Sequence, residues 1–218
     1  MGTVPPHAFR GPDLSGSPFS QGARVEPVTI LAIAASPRRS GNSERLLDEA
    51  LAAATSLGAR ASKAWLCEFA IAPCVECGRC AGVGRCTVED DFQHFYPQFM
   101  AVDRIILASP VFFMGISAQA KALIDRCQCL WERKYRLKQR IGNRGNIERK
   151  GYLIASAGSG LPGSFDCSRK VVQAFYRTLD MEFDGDVCVN NVNDKGDIDS
   201  RPEALHAAYE LGLRAATP

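Results

Sequence analysis

The stretch Val28-Thr29-Ile30-Leu31-Ala32-Ile33-Ala34-Ala35, followed at once by Ser36-Pro37-Arg38-Arg39-Ser40-Gly41-Asn42-Ser43, decides the fold. The first half is a nearly unbroken apolar run of strand length, the pattern of a strand buried on both faces of a parallel sheet. The second half is a polar loop. From Glu44 to Leu57 apolar residues then recur at helical spacing (Leu46, Leu47, Ala50, Leu51, Ala54), with Asn42 or Ser43 placed to cap the helix. A strand, a loop and a helix follow one another within thirty residues.

The unit recurs toward the C-terminus. Ala61 to Phe69 reads as a second strand, and Asp90 or Asp91 as the cap of the helix after it. Arg104-Ile105-Ile106-Leu107-Ala108-Ser109 is a third strand, leading through Pro110 to Gly115 into a helix from about Ser117 to Arg133. Gly151 to Ser156 is a fourth, followed by a Gly-rich loop and a helix from about Phe165 to Leu179. Glu182 to Val189 is a fifth, and a last helix starts around Asp199-Ser200-Arg201-Pro202-Glu203, with Pro202 in the first turn. Strands alternating with helices through right-handed crossovers give an α/β fold with a doubly wound parallel sheet covered on both faces. The expected strand order is the flavodoxin-like 2-1-3-4-5.

Upstream of Val28 the chain differs. Pro5, Pro6, Pro12, Pro18 and Pro27, with several Gly and Ser, leave residues 1–27 without an apolar face. They read as a disordered arm or an over-extended start, and residues 28–218 as one domain. No apolar run approaches the roughly 20 residues of a membrane span, and no signal-type core follows the first methionine, so a cytoplasmic protein is expected. The net formal charge is +2, yet Trp131 to Lys150 holds eight Lys or Arg against Glu132 and Glu148. That stretch reads as a solvated helix end, as a landing site for an acidic electron-transfer partner or an NADP phosphate, or, through Trp131 and Tyr135, as part of an oligomer interface. No nucleic-acid-binding module accompanies it.

In such a sheet, ligands sit beyond the carboxyl ends of the strands. Three loops are placed there. The first, Ser36 to Ser43, offers hydroxyls from Ser36, Ser40 and Ser43, the Arg38 fork, the Asn42 amide and backbone N–H groups at a helix N-terminus, which suits a phosphate. It matches neither the triphosphate-binding nor the dinucleotide-binding glycine signature, which favours a mononucleotide. The second, Pro110-Val111-Phe112-Phe113-Met114-Gly115, is apolar and aromatic. It suits the face and edge of a flat ring, or else a buried hairpin of core residues. The third, Ala157-Gly158-Ser159-Gly160, adds Gly158 as a weaker candidate.

The densest chemistry lies after the second strand. Cys74, Cys77, Cys80 and Cys86 are spaced C-x2-C-x2-C-x5-C. Three thiols at i+3 spacing and a fourth after a Gly-containing stretch form a ligand set for an iron-sulfur cluster. A structural zinc site would ordinarily show two C-x2-C pairs separated by a long spacer, and disulfides are out of place in a chain with no secretory features. Of the remaining cysteines, Cys127 and Cys129 fall inside a predicted helix on different sides, Cys67 and Cys188 in predicted strands as small buried hydrophobes, and Cys167 beside the third loop. His7, His94 and His206 carry no pattern that points to catalysis.

Ala35-Ser36-Pro37-Arg38 with Gly41-Asn42-Ser43, then Ser109-Pro110-Val111-Phe112 with Ser117-Ala118-Gln119, Lys121 and Ile124-Asp125-Arg126, resemble the NAD(P)H-dependent FMN reductase superfamily. The cysteine loop followed by Asp90-Asp91 is similar to its iron-sulfur flavoprotein branch. The resemblance covers about Val28 to Leu213. It implies FMN near a subunit interface of a homodimer or homotetramer, plus one 4Fe-4S cluster. By analogy Ser36, Arg38, Asn42 and Ser43 would hold the FMN phosphate; Pro110, Val111, Phe112, Phe113, Met114 and Gly115 would line the ring; and the four loop cysteines would ligate iron. The implied activity is that of a flavin-dependent oxidoreductase exchanging electrons with NAD(P)H, a quinone or a ferredoxin, with the chemistry in the cofactors and no side-chain nucleophile. An FMN or quinone reductase without a cluster, and a zinc-stabilised flavin-binding protein, are the alternatives.

Overall fold

Five parallel strands form one sheet in the order β2-β1-β3-β4-β5, as the sequence leads one to expect. The structure is a computed structural model that describes residues 26–142 and 147–218. All but two residues of the expected N-terminal arm therefore lie outside the described residues, as do four residues of the basic stretch. The strands are β1 (Thr29–Ala34), β2 (Arg60–Trp65), β3 (Arg104–Pro110), β4 (Lys150–Ser156) and β5 (Glu182–Val189). The helices are α1 (Asn42–Ser56), α2 (Phe92–Ala101), α3 (Ala118–Arg126), α4 (Gln128–Trp131), α5 (Asp166–Thr178) and α6 (Pro202–Ala216).

Alternate residues of the central strands feed two cores. Leu31, Ile33, Ile105, Leu107 and Leu153 pack on one face with Phe92, Phe95 and Phe99 of α2, Leu123 of α3 and Phe175 of α5. Ile30, Ala32, Ile106, Tyr152 and Ile154 pack on the other with Leu46, Leu47 and Ala50 of α1 and Ala208, Leu211 and Ala215 of α6. Every residue of β1 is buried, because this strand is central and both faces are covered by helices. The α1 and α6 helices approach so closely that a Cβ on Gly212 would run into the Ala50 carbonyl.

Several boundaries differ from the sequence reading. The second strand stops at Trp65, four residues short, because its partner β1 ends at Ala34, which pairs with Trp65. Beyond that point the chain closes a single 3-10 turn at Leu66–Glu68, and Cys67 on it is exposed rather than buried in a strand. The helix expected over 117–133 breaks after Arg126, resumes as α4 and ends in a π-type turn at Glu132–Arg136. Cys127 and Cys129, at this break, are both buried. The cap of α1 is Gly41 rather than Asn42 or Ser43, with no side-chain cap bond. Asp91 occupies the cap position of α2, but the oxygen that accepts the Phe92 N–H belongs to Asp90 at 3.0 Å.

The basic stretch is not uniformly solvated either. Arg149 is buried, and its guanidinium donates to the carbonyls of Phe99, Val102, Ile141 and Leu179. Lys134 pairs with Asp180 at 2.7 Å. Those two cations serve packing at the sheet edge opposite the ligand loops, where a delocalised guanidinium can satisfy several orphan carbonyls at once. No helix among the described residues is long and apolar enough to cross a membrane.

Candidate functional site

Four loops lace together at the carboxyl edge of the sheet, one more than the sequence reading placed there. The added one follows β5, at Asn190 to Asp197. It binds the loop after β4 through Ala157 N–H to Val189 O at 2.9 Å and Val192 N–H to Ala157 O at 3.1 Å. A Cβ on Gly158 would press on the Asn193 amide, so glycine there permits this close approach. The missed signal is the polar run Asn190-Asn191-Val192-Asn193-Asp194 directly after a strand.

The loop after β1 is shaped by its own side chains. Ser36 is buried and its hydroxyl accepts the Arg38 N–H at 3.1 Å. Arg38 lies at the surface and donates to Asn193 O at 3.2 Å, reaching across to the β5 loop. Asn42 behaves differently from expectation. Its amide is buried and spans the gap to the β5 loop, donating to Val192 O and Asp194 O and accepting from the Gly196 and Ile198 N–H groups. Ser43 is also buried in the first turn of α1. Ser40 holds a left-handed backbone (φ 55°), and its N–H donates to Glu44 Oε2 at 2.5 Å.

Glu44 in turn accepts from Trp65 Nε1 at 2.6 Å and Lys63 Nζ at 2.9 Å, tying the loop to β2. Burial would raise the Glu44 carboxyl, but Lys63, Trp65 and the Ser40 amide together hold it below the usual carboxylate range. With no side chain capping α1, its first-turn N–H groups face the loop, the arrangement that attracts an anion. Hydroxyl, guanidinium and helix N-terminus thus fit a phosphate monoester.

Beside it, Phe112 and Gly115 exchange backbone hydrogen bonds of 2.9 and 3.0 Å around a tight turn whose central residues, Phe113 and Met114, both have positive φ (47° and 66°). Val111 N–H is taken by Ser156 O at 2.8 Å. The loop is therefore a hairpin, though not a buried one: Phe113 is fully exposed, and Phe112 and Met114 are partly so. Left-handed backbone in bulky residues costs about 1–2 kcal/mol each, so this aromatic tip is held out against local preference. Ser117 secures its base, donating through its hydroxyl to Ala35 O at 2.6 Å and through its N–H to Ser109 Oγ at 2.9 Å.

The cysteine loop leaves the same sheet edge after β2. It has no regular secondary structure, and Gly78, Gly82 and Gly84 supply left-handed turns. Cys74 and Cys77 are exposed, whereas Cys80 and Cys86 are half-buried. Cys77 is held below the ordinary thiol value, first by the Arg79 side chain; burial raises Cys80. The loop is tied at its base. Ala70 N–H donates to Asp91 at 2.7 Å, Ala72 N–H donates to Asp90 at 3.0 Å, and Arg126 of α3 pairs with Asp90 at 2.5 Å. Tyr96 of α2 donates its hydroxyl to Gly84 O at 2.9 Å, and Gln93 donates to Cys86 O at 3.1 Å. Four thiols on one short glycine-containing loop suit an iron-sulfur cluster as a donor set. Among the described residues their sulfurs do not converge into a group of three or more able to hold a metal ion.

The other cysteines separate by burial. Burial pushes Cys129 and Cys188 up to about 12, the reverse of an activated thiol, while Cys167 is exposed at the start of α5. His94 and His206 lie at the surface.

A doubly wound sheet of this strand order, with its loops gathered at the switch point, defines a flavodoxin-like protein. The model of the NADPH-dependent FMN reductase family matches residues 28–193. The chain belongs to that family. Among curated proteins it is 34% identical over 113 residues to an iron-sulfur flavoprotein of Methanosarcina thermophila, a match covering 52% of this chain and 59% of the relative. An iron-sulfur flavoprotein of Methanocaldococcus jannaschii is 35% identical over 113 residues, covering 52% and 58%. The matched segment thus spans little more than half the length of these relatives. The fold is shared with a solved NAD(P)H:quinone oxidoreductase from Methanothermobacter marburgensis, at a TM-score of 0.68 and 17% identity, covering 88% of this chain and 98% of that one. It is also shared with an FMN-dependent NADH-azoreductase from Bacillus anthracis solved with FMN, at 0.62 and 16%, covering 87% and 100%.

Proposed function

We propose that the chain is an FMN-dependent oxidoreductase that also carries a 4Fe-4S cluster on the loop from Cys74 to Cys86, and that it moves electrons between a two-electron and a one-electron carrier. One observation carries this reading: a four-thiol loop leaves β2 at the same sheet edge where the N-terminus of α1 and the loops after β3, β4 and β5 are laced into a phosphate-type site. The names of the curated relatives support it. When bound, FMN supplies hydride or single-electron exchange and the cluster single-electron exchange, so a protein holding both can interconvert the two.

In this reading each residue has a physical task. Ser36, Arg38, Ser43 and the first-turn amides of α1 hold the phosphate. Asn42 serves from behind, fixing the β5 loop against α1 rather than touching the anion. Phe112, Phe113 and Met114 cover the ring and exclude water, and their exposure suits closure by a second subunit of a homodimer or homotetramer. The amides of Val111, Phe112 and Gly115 are spent within the protein, so side chains rather than those N–H groups would meet the ring. Gly158 keeps the β4 loop tight against Asn193. Cys74, Cys77, Cys80 and Cys86 would hold the iron.

A second reading, an NAD(P)H-dependent FMN or quinone reductase without a cluster, is favoured by the exposure of Cys74 and Cys77. Anaerobic purification with iron, sulfide, zinc and FMN analysis, visible absorption, and EPR after dithionite separates the two. FMN with stoichiometric iron and sulfide is expected. FMN with zinc, or with no metal, would sink the cluster. Steady-state assays with NADPH, NADH, a quinone and reduced ferredoxin then identify the donor and acceptor.

A further inference from the structure

The guanidinium of Arg126 closes the cysteine loop and touches one of its sulfurs. Its side chain is almost wholly buried. Nη1 donates to Ala72 O at 2.9 Å, where the chain enters the loop, and to Asp90 Oδ2 at 2.5 Å, where it leaves. Nη2 donates to Cys86 Sγ at 3.2 Å, Asp90 Oδ1 at 3.1 Å and Val88 O at 3.4 Å. The Arg126 Cζ lies over the Phe92 ring, 4.8 Å from the ring centroid. One buried cation therefore joins both ends of the loop and fixes the direction of its last thiol.

We propose that Arg126 is a positioning residue for the cluster: it clasps the loop from residue 72 to residue 90 and presents Cys86 with a permanent positive charge against its sulfur. The inference rests on reading Cys74 to Cys86 as the cluster loop. Its physical basis is general. A charged donor on a ligating sulfur stabilises the more negative, reduced cluster and orients the ligand, as outer-shell partners of metal ligands do. Asp90 keeps the fork in place by accepting both Nη groups along with the Ala72 and Phe92 N–H groups. A lysine can supply the charge but not the fork, because an ammonium cannot bridge the two ends in one plane.

The test compares the full-length wild type with Arg126→Gln and Arg126→Lys, each purified anaerobically and reconstituted with iron and sulfide. FMN content and circular dichroism serve as controls for folding. Arg126→Gln is expected to lose iron to a chelator at least tenfold faster than wild type. Its remaining cluster should shift tenfold toward the oxidised state, about 59 mV for a one-electron couple. Arg126→Lys is expected to restore most of the potential but not the chelator resistance. In the metal-free protein, where no cluster contributes, limited proteolysis within residues 71–91 should speed up at least tenfold in both variants. A wild type that loads iron and sulfide, beside an Arg126→Gln variant with the same potential and the same iron-loss rate, overturns the inference alone. A wild type that takes up no iron and sulfide overturns the reading of the loop and the inference together. If Arg126→Gln does not fold, a cluster potential in Arg126→Lys as far from wild type as a charge-free site would require also overturns it.

Discussion

The two candidate sites on one sheet edge are built in opposite ways. The phosphate-type site is assembled by the protein itself: Asn42, Ser36, Glu44 and Ser117 are buried, Ser36 bonds within its own loop, and the other three each bond a neighbouring loop or strand. The cysteine loop is tied at its base by Asp90, Asp91 and Arg126, while its four thiols are left half-buried or exposed. A preorganised site binds its ligand without further ordering of the chain. A loop tied at its ends and around Gly84 and Cys86, with Cys74 and Cys77 exposed, relies on the bound group to bring its ligands together, and so its affinity is coupled to local folding.

The contrast can be broken most severely at the thiols. Cys86→Ser should bring iron and sulfide down to background while FMN content stays within twofold, measured on the anaerobically purified protein. Loss of both cofactors would show that the sites are not independent. Next in size is Gly212→Ala, whose added Cβ meets the Ala50 carbonyl of α1. Overpacking there should cost about 3 kcal/mol, a fall in Tm of roughly 6–12 °C by calorimetry. FMN affinity should weaken with it, because α1 carries the phosphate loop.

Asn42→Ala strands the Gly196 and Ile198 N–H groups and the Val192 and Asp194 carbonyls. About 2 kcal/mol of stability should be lost, read from urea unfolding, with at least tenfold weaker FMN binding and unchanged iron. Met114→Gly should do the reverse for stability. Relief of the left-handed backbone gains about 1 kcal/mol while removal of the side chain weakens FMN binding, so a titration that shows unchanged affinity would take Met114 out of the site.

The smallest effect is with pH. Glu44 sits below its ordinary value in the fold, so its contribution is present above the unfolded pKa of about 4.3 and is lost as pH falls through the lowered folded value. Trp65 emission in a Trp131→Phe background should report that loss, and Glu44→Gln should remove it.

Much of this architecture is legible in the sequence. Apolar runs identify β1, β3 and β4 because central parallel strands are buried on both faces, whereas the edge strands β2 and β5 are more polar and more exposed and are legible mainly by their place between helices. Boundaries set by a partner strand were not legible: nothing local in Leu66 or Cys67 says that β1 has already ended at Ala34. Polar residues were harder still. Asn42 looked like a cap and is a staple across 150 or more residues of sequence. Arg149 looked like surface charge and is a buried donor to four carbonyls. Arg126, within a helix of ordinary composition, gave no sign that it reaches a cysteine 40 residues earlier.

The sequence by itself determined what depends on local pattern and chemical type: the alternating strands and helices, the phosphate-suited loop at the start of α1, and the four thiols in their spacing. Tertiary structure alone decided which polar groups meet across the sheet edge. A hydrogen bond between distant segments depends on register and strand order, and neither the Asn42 amide nor the Arg126 fork carries that information in its own neighbourhood.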